Sequence, residues 1–389
     1  MTNRVPVVAI DFFCGAGGMT NGLIQAGMYV LAGVDNQPLC EQTYVQNRNP
    51  DGTHPAYVCK DIFPKTKNYP HGQQHEIRDE IEAAIQSFKR VHGVQKVKLV
   101  FAICAPCQPF TKITRIEMSE SRQFKRRNDA NLLTTTLALI KEFRPAALIC
   151  ENVEGMIGKT EDSVLGSFKR TLKRNGYGFE AKVINASKFG VPQNRRRTIG
   201  IGIDSRAYSV NFQLPEFDDQ RDGIVTVAET IGHLPPIAAG EIHPSDSNHR
   251  SRALTPLNLK RISSAPPGGN NSYLSNTPYG DLTLNCHNRL EKKSGVRSFS
   301  DVYTRLNGAT LAPTITTKCV SVSNGRFAHY DVRQNRGLSP REAALLQTFP
   351  EHYMFYPEDN IQFSAIVIGN AVPPRLAAFF GLKIIEAID

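Results

Sequence analysis

The 389-residue sequence has no apolar run near the ~18 residues a membrane-spanning helix requires and no secretory signal at its N-terminus, so a protein of a reducing, aqueous compartment is expected. Its eight cysteines include one C-x-x-C pair, Cys104 and Cys107, with no second such pair. Structural zinc takes four ligands, and no metal is expected. A redox pair and a single reactive thiol both remain open for these cysteines. The dinucleotide fingerprint G-x-G-x-x-G is also missing, because Thr20 stands where its third glycine belongs after Gly15 and Gly17. That weakens a pyrophosphate reading and leaves room for a nucleoside ligand without phosphates. Internal repeats and low-complexity tracts are absent, and the length suits two domains or one large domain with an insertion.

What is present in excess is positive charge. The net charge is +10, with 28 basic and 18 acidic residues up to Gly200. In the second half, 14 basic residues face 6 acidic ones between Gly240 and Arg341. A second basic zone, Lys112 to Arg127, holds six basic and two acidic residues directly after Cys107. Two such zones fit a polyanionic partner such as nucleic acid, and a solvated basic surface is the alternative.

The chain opens with Val5-Pro-Val-Val-Ala-Ile-Asp-Phe-Phe-Cys-Gly-Ala-Gly-Gly18, an apolar strand entering a glycine turn, followed by a helix that Gly27 can end. A second strand, Tyr29 to Val34, ends in Asp35, where an acid can accept hydrogen bonds from ribose hydroxyls. Asp61 follows a third strand-like segment, so Asp11, Asp35 and Asp61 are expected on one ligand edge, with helix capping as the alternative for any one of them. His75 to Arg90 is an amphipathic helix. Val97 to Ile103 reads as a buried parallel strand that delivers Cys107 past its carboxyl end, on a turn stiffened by Pro106 and Pro109. Ala146 to Cys150 is a further strand, ending in Glu151 and Asn152. In the extended run Val191-Pro-Gln-Asn-Arg-Arg-Arg-Thr198, Gln193, Arg195 and Arg197 share one face. From about Asp204 the α/β alternation gives way to proline-, glycine- and serine-rich chain, with Ala312 to Val322 β-like. Ser339-Pro-Arg-Glu342 then announces a capped helix, and Leu376 to Ile388 a closing one.

A thiol, a carboxylate, a nucleoside site and an arginine row together suit attack on an electron-poor ring. Cytosine C5 becomes nucleophilic only after thiolate addition at C6 with N3 protonated. Cys107 would add, Glu151 would serve N3, and Arg195 would orient the base and lower the thiol pKa. In a stacked duplex such a base must be flipped out.

These residues resemble the C5-cytosine DNA methyltransferases of the bacterial restriction-modification type, in the family's motif order and over nearly the whole chain except about 204–311. Asp11-Phe-Phe-Cys-Gly-Ala-Gly-Gly18 resembles the S-adenosylmethionine loop, Asp35 the ribose acid, and Asp61-Ile62 the adenine contact. Ala105-Pro-Cys-Gln-Pro-Phe110 resembles the nucleophile motif, Glu151-Asn-Val153 the carboxylate motif, and Gln193-x-Arg195-x-Arg197 the arginine motif. Arg336 to Gln347 is similar to the helix framing the recognition domain, Thr314-Ile315 to the pair that often marks that domain, and Gly369-Asn-Ala-Val-Pro373 to the segment returning to the cofactor. Departures are Ala105 for proline, Cys59-Lys60 for the glycine before Asp61, and Asp35 for the commoner glutamate.

The resemblance implies an α/β fold, a Rossmann-like S-adenosylmethionine-dependent methyltransferase sheet with a smaller, irregular target-recognition domain. The implied division is 1–203 catalytic, 204–350 target recognition, and 351–389 returning to the catalytic domain. It implies catalytic Cys107, Glu151 and Arg195, supported by Pro106, Asn152, Gln193 and Arg197. Phe13, Gly15, Gly17, Asp35, Asn36, Asp61, Ile62, Asn370 and Val372 would bind S-adenosylmethionine and its product S-adenosylhomocysteine. Sequence-specific methylation of double-stranded DNA is the implied function, in a bacterial cytoplasm at the nucleoid, beside a restriction endonuclease or phage-defence system and with no membrane. A tRNA cytosine-5 methyltransferase, which shares the catalytic motifs, is the alternative.

Overall fold

The computed structural model describes residues 4–106, 131–157, 163–208, 212–214, 223–286 and 300–389. The chain divides into two compact units. One comprises Met1–Phe189, Arg196–Gln220 and Val372–Asp389, and the other Gly190–Arg195 and Arg221–Ala371. Strands β1 (Val7–Phe12), β2 (Tyr29–Asp35), β3 (Ala56–Cys59), β4 (Lys98–Ile103), β5 (Ala147–Val153), β6 (Tyr177–Asn185), β7 (Gln193–Asn194) and β8 (Arg196–Asp204) carry the architecture. The helices that frame it are α1 (Gly18–Gln25), α2 (Gln74–His92), α3 (Leu137–Phe143), α4 (Val164–Arg174), α5 (Pro340–Leu346), α6 (Ile361–Asn370) and α7 (Pro374–Ile388).

The first unit is built on a seven-stranded sheet in the order β3-β2-β1-β4-β5-β8-β6. Neighbours from β3 to β5 run parallel, and β8 lies antiparallel to both β5 and β6. Every residue of β1 is buried, as are all but the first of β4, so the continuous apolar runs mark strands covered on both faces. Ile77, Ile81 and Phe88 form the buried stripe of α2, which ends at Gly93 with φ 64°. At Gly22 of α1 an added Cβ would lie 2.3 Å from the Pro374 carbonyl oxygen, so this glycine is what lets α7 lie against α1. Among the described residues, Ile361–Ile388 is long and apolar enough to cross a membrane, but it is mostly buried and is interrupted between Asn370 and Pro374.

The second unit has little regular sheet, as its proline- and glycine-rich sequence implies. Buried arginines take over the work of a ladder. Arg305, fully buried, donates to the carbonyls of Ile262, Ala265, His329, Asp331 and Gln334. Arg336 grips both oxygens of Glu342 at 2.6 and 2.8 Å, inside the capping box that Ser339 and Glu342 form on α5. Arg341 holds Asp246 and the Tyr353 carbonyl. Part of the basic excess between Gly240 and Arg341 is therefore internal rather than offered to a partner.

The unit boundaries fall at 189/190, 195/196, 220/221 and 371/372, where the sequence placed 203/204 and 350/351. Residues 351–370 belong with the second unit because α6 packs on α5. The β-like run from Ala312 to Val322 contains a strand only at Ala312–Pro313, which pairs with β7.

Candidate active site

Sheet register sets the site. Phe12 pairs with Val34 on β2 and Ile103 on β4, and Ile103 pairs with Cys150 on β5. The next residues, Phe13, Asp35, Cys104 and Glu151, therefore lie level along one carboxyl edge, Asp35 still paired with Cys59 and Glu151 with Ile199. Strand order reverses between β1 and β4, the place where open α/β sheets bind ligands.

The glycine turn after β1 uses left-handed backbone at Phe13 (φ 61°), Gly15 (φ 49°) and Gly17 (φ 80°). A phenylalanine held in that region is strained, as functional loops often are. The turn's N–H groups are already employed: Gly15 donates to Asp35 Oδ2 at 2.9 Å and Gly17 to the Cys14 carbonyl at 2.8 Å. The start of α1 faces a carboxylate of the chain's own. Asp11 Oδ2 accepts from Thr20 N–H at 3.1 Å and Thr20 Oγ1 at 2.7 Å. The Gly15, Gly17 and Thr20 N–H groups are thus withdrawn from a phosphate, whereas a cationic or hydroxyl-bearing nucleoside finds acceptors.

Asp11 Oδ1 is buried and, among the described residues, accepts no hydrogen bond. Burial pushes this carboxyl up to about 7 against the lowering effect of the Thr20 bonds. Burial also raises Asp35, opposed by backbone N–H groups of Gly15, Gln37 and Asn36. Thr20 Oγ1 further lies 2.9 Å from the Tyr44 hydroxyl. The sequence marks Thr20 only as the residue replacing a glycine, gives no sign of Tyr44, and places Asp11 on the ligand edge without a contact of its own. The available signal was Thr20 itself, a hydroxyl in place of the fingerprint's third glycine.

The other expected cofactor residues sit as follows. Asp61 Oδ1 caps the Phe63 N–H at 3.0 Å beside buried Ile62, and Asn36 is exposed after β2. Asn370 is exposed at the end of α6 in the second unit, and buried Val372 begins the return to the first. Lys60, one of the departures, pairs with Glu76 at 2.5 Å.

Pro106 is exposed at the end of the β4 segment. Cys107, the expected nucleophile, and the basic stretch Lys112 to Arg127 lie outside the described residues. The supports leading to Cys107 are described. Asn152 Nδ2 donates to the Ala105 carbonyl at 2.9 Å while its Oδ1 accepts the Val153 N–H at 2.9 Å, and Cys104 N–H donates to the Phe12 carbonyl. Burial, then the charges of Asp11 and Glu151, push the Cys104 thiol well above its ordinary value. A thiol held protonated is a poor partner for disulfide exchange, which favours the single-thiol reading of the C-x-x-C pair.

Glu151 is nearly buried, and its Oε1 lies 3.0 Å from Arg197 Nε. The N–H does not point along that line, so the contact is an ion pair and Oε1 accepts no hydrogen bond among the described residues. β8, antiparallel to β5, sets this pairing by placing Arg197 opposite Val153. Arg195 and Gln193 belong to the second unit. Arg195, 2% exposed, donates to the carbonyls of Ile315 (3.0 Å), Gly369 (3.2 Å) and Ala371 (3.1 Å). Gln193 donates to the Leu346 carbonyl and Gln347 Oε1 and accepts the Ile315 N–H. Within one extended run, then, Arg197 meets the carboxylate and Arg195 meets backbone.

Comparison with known proteins gives the family. The family model for C-5 cytosine-specific DNA methylase matches residues 7–386. Type II methylase M.HgiDII of Herpetosiphon aurantiacus is 33% identical over 94% of this chain and 92% of its own. Type II methyltransferase M1.BsuMI of Bacillus subtilis is 29% identical over 96% of this chain and 79% of its own. Among solved structures, a methyltransferase encoded within an E. coli prophage has TM-score 0.66 at 18% identity, covering 98% of this chain and 99% of that one. Dnmt2 methyltransferase of S. pombe has TM-score 0.55 at 16% identity, covering 98% and 99%. At such identities the structures speak for the fold. The family match along almost the entire chain identifies the protein as a member of the C-5 cytosine-specific DNA methylase family, a DNA (cytosine-5-)-methyltransferase.

Proposed function

We propose that the protein methylates cytosine within a specific sequence of double-stranded DNA, with S-adenosylmethionine as donor and Cys107 as the transient nucleophile. The observation that supports this most directly is a pair of buried carboxylate oxygens without hydrogen-bond partners among the described residues, Asp11 Oδ1 and Glu151 Oε1. They lie on the two strands flanking β4, the strand that leads to Cys107. A buried acceptor beside a glycine turn whose Gly15 and Gly17 N–H groups are taken fits the ammonium and ribose of S-adenosylmethionine, which supplies an electrophilic methyl on sulfonium. Asp11 would take the ammonium and Asp35 the ribose, with Phe13, Gly15, Gly17, Asn36, Asp61, Ile62, Asn370 and Val372 completing the cofactor set.

The Cys107 thiolate adds to C6 of a flipped cytosine. Glu151, oriented by Arg197, holds N3 and the proton there, so that negative charge does not build on the ring. The enamine formed makes C5 the nucleophile. After C5 is methylated and its proton lost to a base, β-elimination expels Cys107. Asn152, through the Ala105 carbonyl, fixes the backbone from which the thiol is presented. The type II relatives support a restriction-modification context, and we extend it to a cognate endonuclease or phage-defence partner and a place at the bacterial nucleoid.

The test is transfer of labelled methyl groups from S-adenosylmethionine to duplex DNA and, in parallel, to tRNA. Transfer to duplex DNA that Cys107→Ser abolishes, with cofactor binding retained, is the expected result. Transfer to tRNA alone would overturn the DNA reading, and an active Cys107→Ser would overturn the thiol mechanism.

A further inference from the structure

Arg195 and Gln193 enclose one peptide. Gln193 Oε1 accepts the Ile315 N–H at 3.1 Å and Arg195 Nη1 donates to the Ile315 carbonyl at 3.0 Å, so both polar groups of Ile315 are taken by side chains of the arginine motif. The segment before it is stitched to the same run: Ala312 N–H donates to the Pro192 carbonyl, and Thr314 Oγ1 to the Asn194 carbonyl at 2.8 Å. Behind it, an added Cβ on Gly369 would stand 2.2 Å from the Thr316 carbonyl carbon, so the last helical turn of α6 backs directly onto it. Arg195 also holds the carbonyls of Gly369 and Ala371, and Gln347 donates to Ala371 as well. All of these residues belong to the second unit.

What this clamp holds is a tight turn. Cys319 N–H donates to the Thr316 carbonyl and Lys318 N–H to Thr316 Oγ1, while buried Cys319 and Val320 anchor its far side. Thr316 and Lys318 are the exposed side chains it presents. A hydroxyl and an ammonium, two residues apart on a turn whose entry is fixed at both N–H and C=O, form a small rigid probe for a polyanion with hydrogen-bonding edges.

We propose that the Thr316–Cys319 turn is a DNA-contacting element, with Lys318 on a phosphate and Thr316 beside it, and that Arg195 is a positioning residue for this turn. The inference rests on the reading that the second unit recognises DNA. Arg195 then acts through peptide carbonyls, which its planar fork engages together and a lysine ammonium cannot.

The experiment uses the full chain, with its methylated sequence first mapped by bisulfite sequencing. Lys318→Ala should raise KM for DNA several-fold and flatten the salt dependence of DNA binding by the slope of about one phosphate contact. Arg195→Lys should raise KM for DNA in the same way and reduce the preference for the mapped site over single-base variants by about tenfold, leaving KM for S-adenosylmethionine unchanged. Thr314→Val, which removes only the bond to Asn194, should move the same quantities less, and it carries the test if Arg195→Lys does not fold. The proposal is overturned if Lys318→Ala leaves the salt slope unaltered. It is also overturned if Arg195→Lys lowers kcat at saturating DNA with KM and site preference intact, the signature of contact with the reacting base. Absence of methyl transfer by the unaltered protein would instead strike the proposed function.

Discussion

At the scale of single residues, the informative groups are those whose surroundings leave an atom unused. Asp11 is buried, its carboxyl pushed up to about 7, and one of its oxygens has no hydrogen bond among the described residues. Below that pH it carries a proton and repels no one; above it the carboxylate attracts a cation. Affinity for S-adenosylmethionine should accordingly rise as pH goes from 6 to 8, and Asp11→Asn should weaken binding by about tenfold or more and flatten the dependence, as titration calorimetry would report. Asn152→Ala should leave the fold and cofactor affinity intact yet lower kcat by about 100-fold, because the Ala105 carbonyl loses its tether and the thiol its aim. Single-turnover methylation would check it. The limits of sequence reading also show here. Strand alternation correctly puts Gln193, Arg195 and Arg197 on one face, but the boundary between compact units runs between Arg195 and Arg196, so neighbours on that face enter different networks. A period of two does not encode that division, and Arg197 rather than Arg195 meets Glu151.

At the scale of elements, β1, β2, β4, β5, α1, α2 and α7 were legible because each is an apolar or amphipathic run beside glycine or proline punctuation, whereas α4 is not among the helices expected from the sequence. The order of the strands was less so. The antiparallel insertion of β8 between β5 and β6 depends on its pairing with β5, from which α4 and β6 separate it in sequence, and α6 gives no stripe to read because its apolar residues surround it. The irregular second unit was read as basic surface, whereas Arg305, Arg336 and Arg341 are internal fasteners. One close approach is simple to test. Gly22→Ala places a methyl 2.3 Å from the Pro374 oxygen and 2.4 Å from the Ala377 Cβ. We expect it to cost about 1–3 kcal/mol and to lower the melting temperature by several degrees, with α7 loosened from α1. Scanning calorimetry gives the shift, and an unchanged melting temperature would mean that the two helices do not pack as described.

At the scale of the whole molecule, the two units hold titratable groups of opposite sense. In the first, Asp11 has its pKa raised from 3.8 to about 7, so the folded form binds its proton more tightly than the unfolded chain does. Stability from this group grows as pH falls from 7 toward 4. In the second unit, burial lowers His329 from 6.5 to about 4, beside Glu342, which burial would raise but Arg336 holds down to about 2. The Asp331 N–H donates to His329 Nδ1, so the neutral ring carries its hydrogen on Nε2, 3.5 Å from Glu342 Oε1. The unfolded chain protonates His329 first, and stability is lost as pH falls from 6.5 toward 4. The Glu342 contribution follows below about 4.5. Between pH 7 and 5 each unit should change by roughly 2 kcal/mol, in opposite directions. Hydrogen-exchange protection factors, corrected for the intrinsic rate at each pH, should therefore rise in β1 and α1 while they fall in α5 and around Arg305. His329→Gln should remove most of the loss in the second unit and leave the gain in the first untouched. Parallel changes in both units would show that net charge, rather than these two buried groups, governs the response to acid.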